Sequence, residues 1–393
     1  MTPKDSQEKF SVVHSTQIWL SRTMTWLYTQ ISCMPPHVEN HIVCDKTEHL
    51  DEFPIQNLIS ADQDPRLWQL VNARSWQVAR RRQSYLLRSR VRQSGARIIH
   101  SHFGDRGWFN IDDVKRTGTK HVVTFYGYDI SRLPQLEPIW QQQYRQLFET
   151  ADLFLCEGPY LANSLIESGC PTEKVTVHHL GIRLNDIPFR PRHWQPGSPL
   201  RVLLAGSFVE KKGMPLAINA LGRIRDRTPL EITIIGDDNG QPRSRQEKAR
   251  IHEAIDQTGL ASQTRLLGYQ PYSVLLDEAS RHHVFLSPSL TASDGDSEGG
   301  APVSIIDMAA TGMPVVSSRH CDIPEVLEDG ITGLLAAEDN IDGLEERLCW
   351  LLDHPERWTG MVEAARRHIE NEFSAPDQGQ RLAAHYESLL GDD

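Results

Sequence analysis

Asp294-Gly295-Asp296-Ser297-Glu298-Gly299-Gly300-Ala301-Pro302-Val303-Ser304-Ile305-Ile306-Asp307-Met308-Ala309-Ala310-Thr311-Gly312-Met313-Pro314-Val315-Val316-Ser317-Ser318 reads as an acidic, glycine-containing loop, a short helix and the start of a strand. Pro302 suits a helix start, because its missing N–H falls among donors that have no intrahelical partner there. Val303, Ile306 and Ala310 recur three and four apart, which predicts one apolar helix face. Gly312 closes the helix and Pro314 prevents its continuation. A helix N-terminus preceded by glycines can receive an anion on backbone N–H groups. The carboxylates Glu298 and Asp307, at either end of the segment, accept hydrogen bonds from hydroxyls. A ligand with both a diphosphate and several hydroxyls, such as a nucleotide sugar, suits both features.

The surrounding sequence repeats a strand-loop-helix pattern. Leu200–Gly206 reads as a strand, Ser207–Gly213 as a loop, and a helix follows from Pro215. Strands are predicted again at Leu230–Asp237, Thr264–Tyr269 and His283–Ser289. The first half shows the same alternation: Phe10–His14, then a helix entered across Leu20–Leu27, then strands at Arg97–Phe103, His121–Tyr126, Ala151–Cys156 and Lys174–Leu180. Strands alternating with helices predict a parallel sheet in each half, with ligands at the carboxyl ends of the strands. The proline-rich residues Asp186–Pro199 separate the halves. The expected organisation is residues 1–188, a linker at 189–199, and residues 200–374. Leu382, Tyr386, Leu389 and Leu390 give residues 375–393 a helical apolar face for packing back on the first domain.

At 393 residues the chain is long for one core and suits two domains. A net charge of −11 argues against a general nucleic-acid binder. The six cysteines show no C-x-x-C spacing, which fits buried thiols in a reducing compartment. The polar N-terminus and the absence of a membrane-length apolar run point to a cytoplasmic protein with peripheral membrane contact at most. One stretch departs from the acidic whole. Residues 65–97 carry nine arginines and no acid, interleaved with Leu, Val, Trp and Tyr. This fits either docking on anionic lipid or a core-facing helix with a solvated basic face. No cluster of His, Asp or Glu has metal-ligand spacing, so no metal is expected.

The order of motifs resembles the retaining glycosyltransferases of family 4. These motifs are Gly206–Gly213, Gly236-Asp237, Gly268-Tyr269, Ser287-Pro288-Ser289, Glu298–Pro314, Ile323-Pro324-Glu325-Val326 and Asp329–Leu335. Thr124-Phe125-Tyr126-Gly127-Tyr128-Asp129 and His320–Glu325 add a likeness to bacterial exopolysaccharide and colanic-acid-type transferases. The resemblance implies an α/β GT-B fold, in which two doubly wound Rossmann-like domains face each other across a cleft. It implies a metal-independent hexosyl transfer, with retention, from a nucleotide-diphosphate sugar to a saccharide or lipid-linked saccharide in cell-surface polysaccharide synthesis. The sugar nucleotide is then a co-substrate and no cofactor is needed.

Carried over to this sequence, the resemblance assigns Glu298 to the donor sugar's hydroxyls and Asp307 to the ribose. The backbone of Gly299, Gly300, Ala301, Pro302 and Val303 would face the diphosphate, with Lys212 supplying charge. Ser207 stands where the family carries an arginine, and Lys211 is the available substitute. Gly268 and Tyr269 fall near the base. Asp307 is one methylene shorter than the usual glutamate and one position further along, so Asp296 stays open as an alternative first acid. His102 is a candidate for contact with a reacting sugar. Tyr126 replaces an expected histidine. Ser21, Arg22, Thr23, Tyr126, Gly127 and Asp129 form the candidate acceptor side. Ser21, Arg22 and Thr23 fit capping chemistry equally well, and Asp129 fits either an acceptor contact or a helix cap. Two other readings of the chain stay open: a nucleotide-sugar 2-epimerase, and a non-catalytic partner in a polysaccharide assembly complex.

Overall fold

The computed structural model describes residues 8–21, 24–63 and 76–391. The chain divides into two compact units, Met1–Gly181 with Ala375–Asp393, and Ile182–Ser374. The division therefore falls after Gly181. The expected linker at 189–199 lies inside the second unit, packed along the end of the helix Val303–Ala310. Arg190 and Arg192 donate backbone N–H groups to the carbonyls of Thr311 and Gly312, each at 2.9 Å. The buried Arg192 guanidinium donates to the carbonyls of His282 and Ala279. Prolines keep this segment extended, and an extended chain pairs with a neighbour's carbonyls as readily as it spans two domains.

In the first unit, β1 (Phe10–Trp19), β2 (Val38–Thr47), β3 (Leu58–Ser60), β4 (Ile98–His102), β5 (Lys120–Phe125), β6 (Leu153–Cys156) and β7 (Val175–Val177) form one sheet in the order β3-β2-β1-β4-β5-β6-β7. All of its pairings are parallel. β2 and β3 have no counterpart among the expected strands, and β1 runs on to Trp19. Ser15 and Thr16 look polar in sequence but are buried, because β1 lies between β2 and β4. The helix after β1 begins at Thr25. The last helix, Ala375–Gly391, belongs to this unit and buries Leu382 and Tyr386 against Val12, Ile98 and Val122.

The second unit holds β8 (Leu200–Ala205), β9 (Leu230–Ile235), β10 (Thr264–Leu266), β11 (Val284–Ser287), β12 (Val315–Ser318) and β13 (Leu334–Ala336), again all parallel, in the order β10-β9-β8-β11-β12-β13. Both faces are covered. Val202, Leu204, Ile232 and Leu286 join one apolar cluster, while Leu203, Ala205, Ile235 and Phe285 join another. The period-2 alternation of a strand therefore appears as two cores rather than as a core and a wet face. Strand order reverses between β1 and β4 and between β8 and β11. In doubly wound sheets ligands bind at the carboxyl ends beside such a switch. Among the described residues, no helix is long and apolar enough to cross a membrane.

Candidate active site

The switch between β8 and β11 gathers most of the expected donor residues. β8 ends at Ala205, and Gly206 and the half-buried Ser207 follow. The chain turns through a short 3-10 segment, Glu210–Lys212, and reaches Gly213 at φ +60. The backbone of this loop is fastened to the end of β11, with Leu290 N–H donating to Lys211 O at 2.9 Å. A Cβ at Gly213 would lie 2.0 Å from the Pro288 carbonyl oxygen. Gly213→Ala is therefore expected to destabilise the second unit by at least about 1–3 kcal/mol. A drop in its denaturation midpoint would show this, and an unchanged midpoint would mean the loop can sit elsewhere.

This fastening sets two lysines against the acidic loop that precedes the helix Val303–Ala310. Lys212 Nζ lies 2.9 Å from the Glu298 carboxylate, and Lys211 Nζ lies 3.2 Å from Asp296 Oδ1 and 2.8 Å from Ser297 O. The Glu298 side chain is 7% exposed. Burial alone would push its carboxyl up, but Lys212 and Lys211 outweigh burial and hold it below the usual carboxylate value. In the same way Glu298 and Asp296 raise Lys211 against the opposing effect of burial. The two candidate first acids are thus each matched to a different lysine, Glu298 to Lys212 and Asp296 to Lys211.

Three further side chains position Glu298. Ser289 Oγ donates to Glu298 Oε1 at 2.8 Å. The Glu298 backbone N–H donates to His320 Nε2 at 3.2 Å, so the other imidazole nitrogen carries the proton and donates to Glu338 Oε2 at 2.9 Å. Glu338 also accepts from the backbone N–H of Thr291. The ends of β11, β12 and β13 are thereby tied to one loop. Ser289 and His320 lie in motifs that mark the resemblance but were given no role there. Glu338 lies in no motif, and only the fold brings it to the site.

Glu298 leads through Gly299 and Gly300 to Pro302, which is the N-cap of the helix Val303–Ala310 rather than its first residue. No side chain caps this N-terminus; Ile305 N–H donates to the Pro302 carbonyl at 2.9 Å, while the Val303 and Ser304 N–H groups ahead of it have no intrahelical acceptor and stay available to an anion. The helix is buried over most of its surface, not on one face, from Ile305 to Ala310. Asp307 therefore sits in an apolar setting. Burial pushes its carboxyl up to about 7, opposed by a hydrogen bond from the Tyr272 side chain. Tyr272 is a second site residue with no signal in the sequence. Gly236 N–H donates to the Gly268 carbonyl at 2.9 Å, and the neighbouring Tyr269 is 38% exposed.

The first unit's candidates divide differently. Arg22 and Thr23 lie outside the described residues. Ser21 follows the end of β1, its carbonyl accepting from Met24 N–H at 3.0 Å. Gly127, at φ +104, opens the short helix Tyr128–Ser131. Asp129 is 1% exposed and accepts backbone N–H bonds from Gly104 at 2.8 Å and Tyr126 at 3.0 Å. It ties the ends of β4 and β5 together rather than facing a ligand, and burial pushes its carboxyl up to about 7 against those two bonds. His102 is 0% exposed, with Nε2 on His14 and Nδ1 on Tyr126. A substrate cannot reach an imidazole whose two nitrogens are both engaged and buried, so His102 is not a contact residue. Burial drives its pKa well below the ordinary histidine value, so it stays neutral.

Two family models match the chain, "Glycosyl transferases group 1" over residues 188–368 and "Glycosyltransferase Family 4" over residues 33–186. The amylovoran biosynthesis glycosyltransferase AmsK of Erwinia amylovora is 35% identical over 300 residues, covering 75% of this chain and 70% of that protein. A protein of Escherichia coli (strain K12), provisionally named colanic acid biosynthesis glycosyltransferase WcaL, is 31% identical over 303 residues, covering 75% and 71%. The crystal structure of Anabaena Alr3699/HepE in complex with UDP-glucose superposes with a TM-score of 0.76 at 14% identity, covering 96% of this chain and 99% of that one.

Proposed function

The chain belongs to the group 1 glycosyltransferases and has their GT-B fold, and from that premise we propose that it transfers a hexose from a nucleotide-diphosphate sugar to a saccharide or lipid-linked saccharide. The observation that carries this reading is the Lys212–Glu298 pair beside an uncapped helix N-terminus at the β8/β11 switch. The departing diphosphate needs positive charge, and Lys211, Lys212 and the Val303 and Ser304 N–H groups that begin the helix Val303–Ala310 supply it. Glu298 and Asp307 accept hydrogen bonds from sugar and ribose hydroxyls. Retention follows if the acceptor hydroxyl attacks the face the phosphate leaves, with the phosphate oxygen taking its proton. The names of AmsK and WcaL support a place in exopolysaccharide synthesis.

A thermal-shift panel of UDP-, GDP- and ADP-sugars tests the donor, since a ligand that binds only the folded state raises apparent stability. One nucleotide class is expected to shift the second unit's transition, and transfer by that donor is expected to survive EDTA. Loss of transfer on chelation, restored by a divalent ion, would overturn the metal-independent part. Epimer formation from donor alone would overturn the transferase reading.

We propose further that the helix Trp76–Ser94 docks on anionic lipid. Its Arg81 and Arg92 are exposed beside Tyr85, which is 61% exposed. Arg80 and Arg88 instead face Asp112 and Asp113 of the next helix, at 3.9 and 3.4 Å. Co-sedimentation with phosphatidylglycerol vesicles is expected, and Arg81→Glu with Arg92→Glu is expected to reduce it by at least about thirtyfold, each exposed arginine near the surface contributing about 1 kcal/mol. Equal binding to phosphatidylcholine vesicles would overturn the electrostatic account.

A further inference from the structure

Three histidines meet on one face of the first sheet. His100 and His102 are two apart on β4 and so share a face, and the parallel register pairs His14 of β1 with His100. All three are 0% exposed. One ring nitrogen from each lies within 4.8 Å of the other two, and His14 Nδ1 stands 3.0 Å from His102 Nε2. The far side of each ring is held by a protein oxygen. His14 Nε2 faces Asn40 Oδ1 at 3.0 Å, His102 Nδ1 faces the Tyr126 hydroxyl at 2.7 Å, and His100 Nδ1 faces the Tyr386 hydroxyl at 2.6 Å. Asn40 Nδ2 lies 3.4 Å from the carbonyls of Ile31 and Val38, so Oδ1 is turned to His14 and accepts from its Nε2–H. His14 Nδ1 therefore presents a lone pair inward.

We propose that His14, His100 and His102 form a structural binding site for one divalent transition-metal ion of the zinc class. Histidine ligands are oriented around a metal in this way, with one nitrogen of each ring turned inward and an oxygen holding the other. Around tetrahedral zinc, with Zn–N bonds of about 2.0–2.1 Å, ligand nitrogens stand about 3.4 Å apart. His14 and His102 are within about 0.4 Å of that spacing, and a separation of 4.8 Å closes to it with about 1.4 Å of side-chain movement. Thr124 Oγ1, 2.7 Å from His100 Nε2, is a hydroxyl beside a fourth position. Burial keeps the rings neutral, which is the form that ligates. Binding then releases no proton from them, since His100 and His102 each carry their single proton on Nδ1, toward a tyrosine oxygen. A set of imidazoles suits zinc, nickel or copper rather than calcium or magnesium. Burial does not bar the ion, because a structural ion is taken up as the chain folds and its site is closed afterwards. A closed site has no open position for a substrate, so it leaves the metal-independent reading of transfer untouched and does not depend on it. Spacing along the sequence gave no hint of a ligand set because His14 and His102 are 88 residues apart.

Metal content of the full-length chain tests the site. Untagged protein from zinc-supplemented cells, washed with EDTA to strip surface-bound metal, is expected to retain about one equivalent of zinc by elemental mass spectrometry and to release it only on denaturation. Protein from cobalt-supplemented cells is expected to show the visible absorption of a tetrahedral site without the near-ultraviolet band of a thiolate ligand. His14→Gln and His102→Gln, which keep hydrogen-bonding groups in place of the imidazoles, are each expected to lose the retained zinc. Tyr386→Phe leaves all three ligands in place and removes only the oxygen behind His100, so it is expected to weaken zinc binding about tenfold in chelator competition. A folded parent protein without retained metal overturns the proposal, and so does zinc that survives both histidine substitutions or a cobalt spectrum with a thiolate band. An unchanged zinc affinity in Tyr386→Phe removes His100 from the ligand set and overturns the three-histidine site. None of these readings requires glycosyl transfer, so a failure of the transferase reading and a failure of the metal site are told apart.

Discussion

Lys212→Ala is expected to lower kcat/KM for glycosyl transfer by about 10²- to 10³-fold, on the order of 3–4 kcal/mol of transition-state stabilisation. Two effects add. The leaving diphosphate loses the cation that stands beside the uncapped helix, and Glu298 loses the partner 2.9 Å away that keeps its buried carboxyl ionised. Lys211 is only a partial substitute, because Asp296 and the Ser297 carbonyl already hold its ammonium. Glu298→Gln separates the two effects. It keeps the hydrogen bond from Ser289 and releases Lys212, so its loss measures the carboxylate's contact with sugar hydroxyls. If the pair acts as one unit, the double variant loses much less than the product of the single losses. Full additivity in initial-rate measurements would show that the two residues act separately, and an unchanged kcat/KM in Lys212→Ala would remove this pair from the site.

The Glu298 pair also has a sign in pH. A carboxyl whose folded value is lowered contributes stability that is present above its unfolded value and is lost as pH falls through the folded one. The lysine pair therefore favours neutral and alkaline conditions, the opposite of what the carboxyl at the far end of the same segment does.

Continuous apolar runs ending in Gly, Ser or His were enough to place most strands, because a parallel strand buried on both faces has no polar alternation to confuse the reading. β2 escaped because Glu39, Asn40, Asp45 and Lys46 interrupt it, leaving only Ile42, Val43 and Cys44 as an apolar run. β3 is three residues long. That omission hid Asn40, whose Oδ1 lies 3.0 Å from His14 Nε2. Two residues apart on one strand face the same side, so His100 with His102 was legible as a pair. That His14 stands beside His100 follows only from the parallel register of β1 on β4, which pairs those two residues. The histidines were thus visible while their partners were not, and a buried imidazole looked like an exposed one. The site in the second unit was legible where residues are contiguous, from Glu298 to Asp307. It was not legible where Ser289, His320 and Glu338 arrive from three separate loops, since sequence carries no distance between them.

Asp307→Asn is expected to stabilise the second unit at pH 8 and leave it unchanged near pH 4, while weakening nucleotide binding. Asp307 is 4% exposed, and burial pushes its carboxyl from 3.8 up to about 7. Below about pH 4 both folded and unfolded states hold the proton and the group contributes nothing. As pH rises from 4 to 7 the unfolded carboxyl ionises first, so the folded state binds more protons and stability falls. Above 7 both states are ionised and the deficit is constant, on the order of 2–4 kcal/mol. Asparagine carries no charge at any pH, and its Oδ1 can still accept from the Tyr272 hydroxyl, so the variant escapes the deficit. Asp129, raised in the same way, adds a slope of the same sign from the first unit, so the difference between variant and parent, not the parent's slope alone, isolates Asp307. The carboxylate's proposed task is to accept two ribose hydroxyls, and a charged acceptor is stronger than an amide by about tenfold in binding. Chemical denaturation at pH 4.5 and pH 8, with and without the nucleotide that shifts the parent, reads both quantities. A variant no more stable at pH 8 would mean the native carboxylate is solvated. A variant that is more stable and binds nucleotide as tightly as the parent would mean the ribose is held elsewhere, and the destabilising charge at Asp307 would then have no function to account for it.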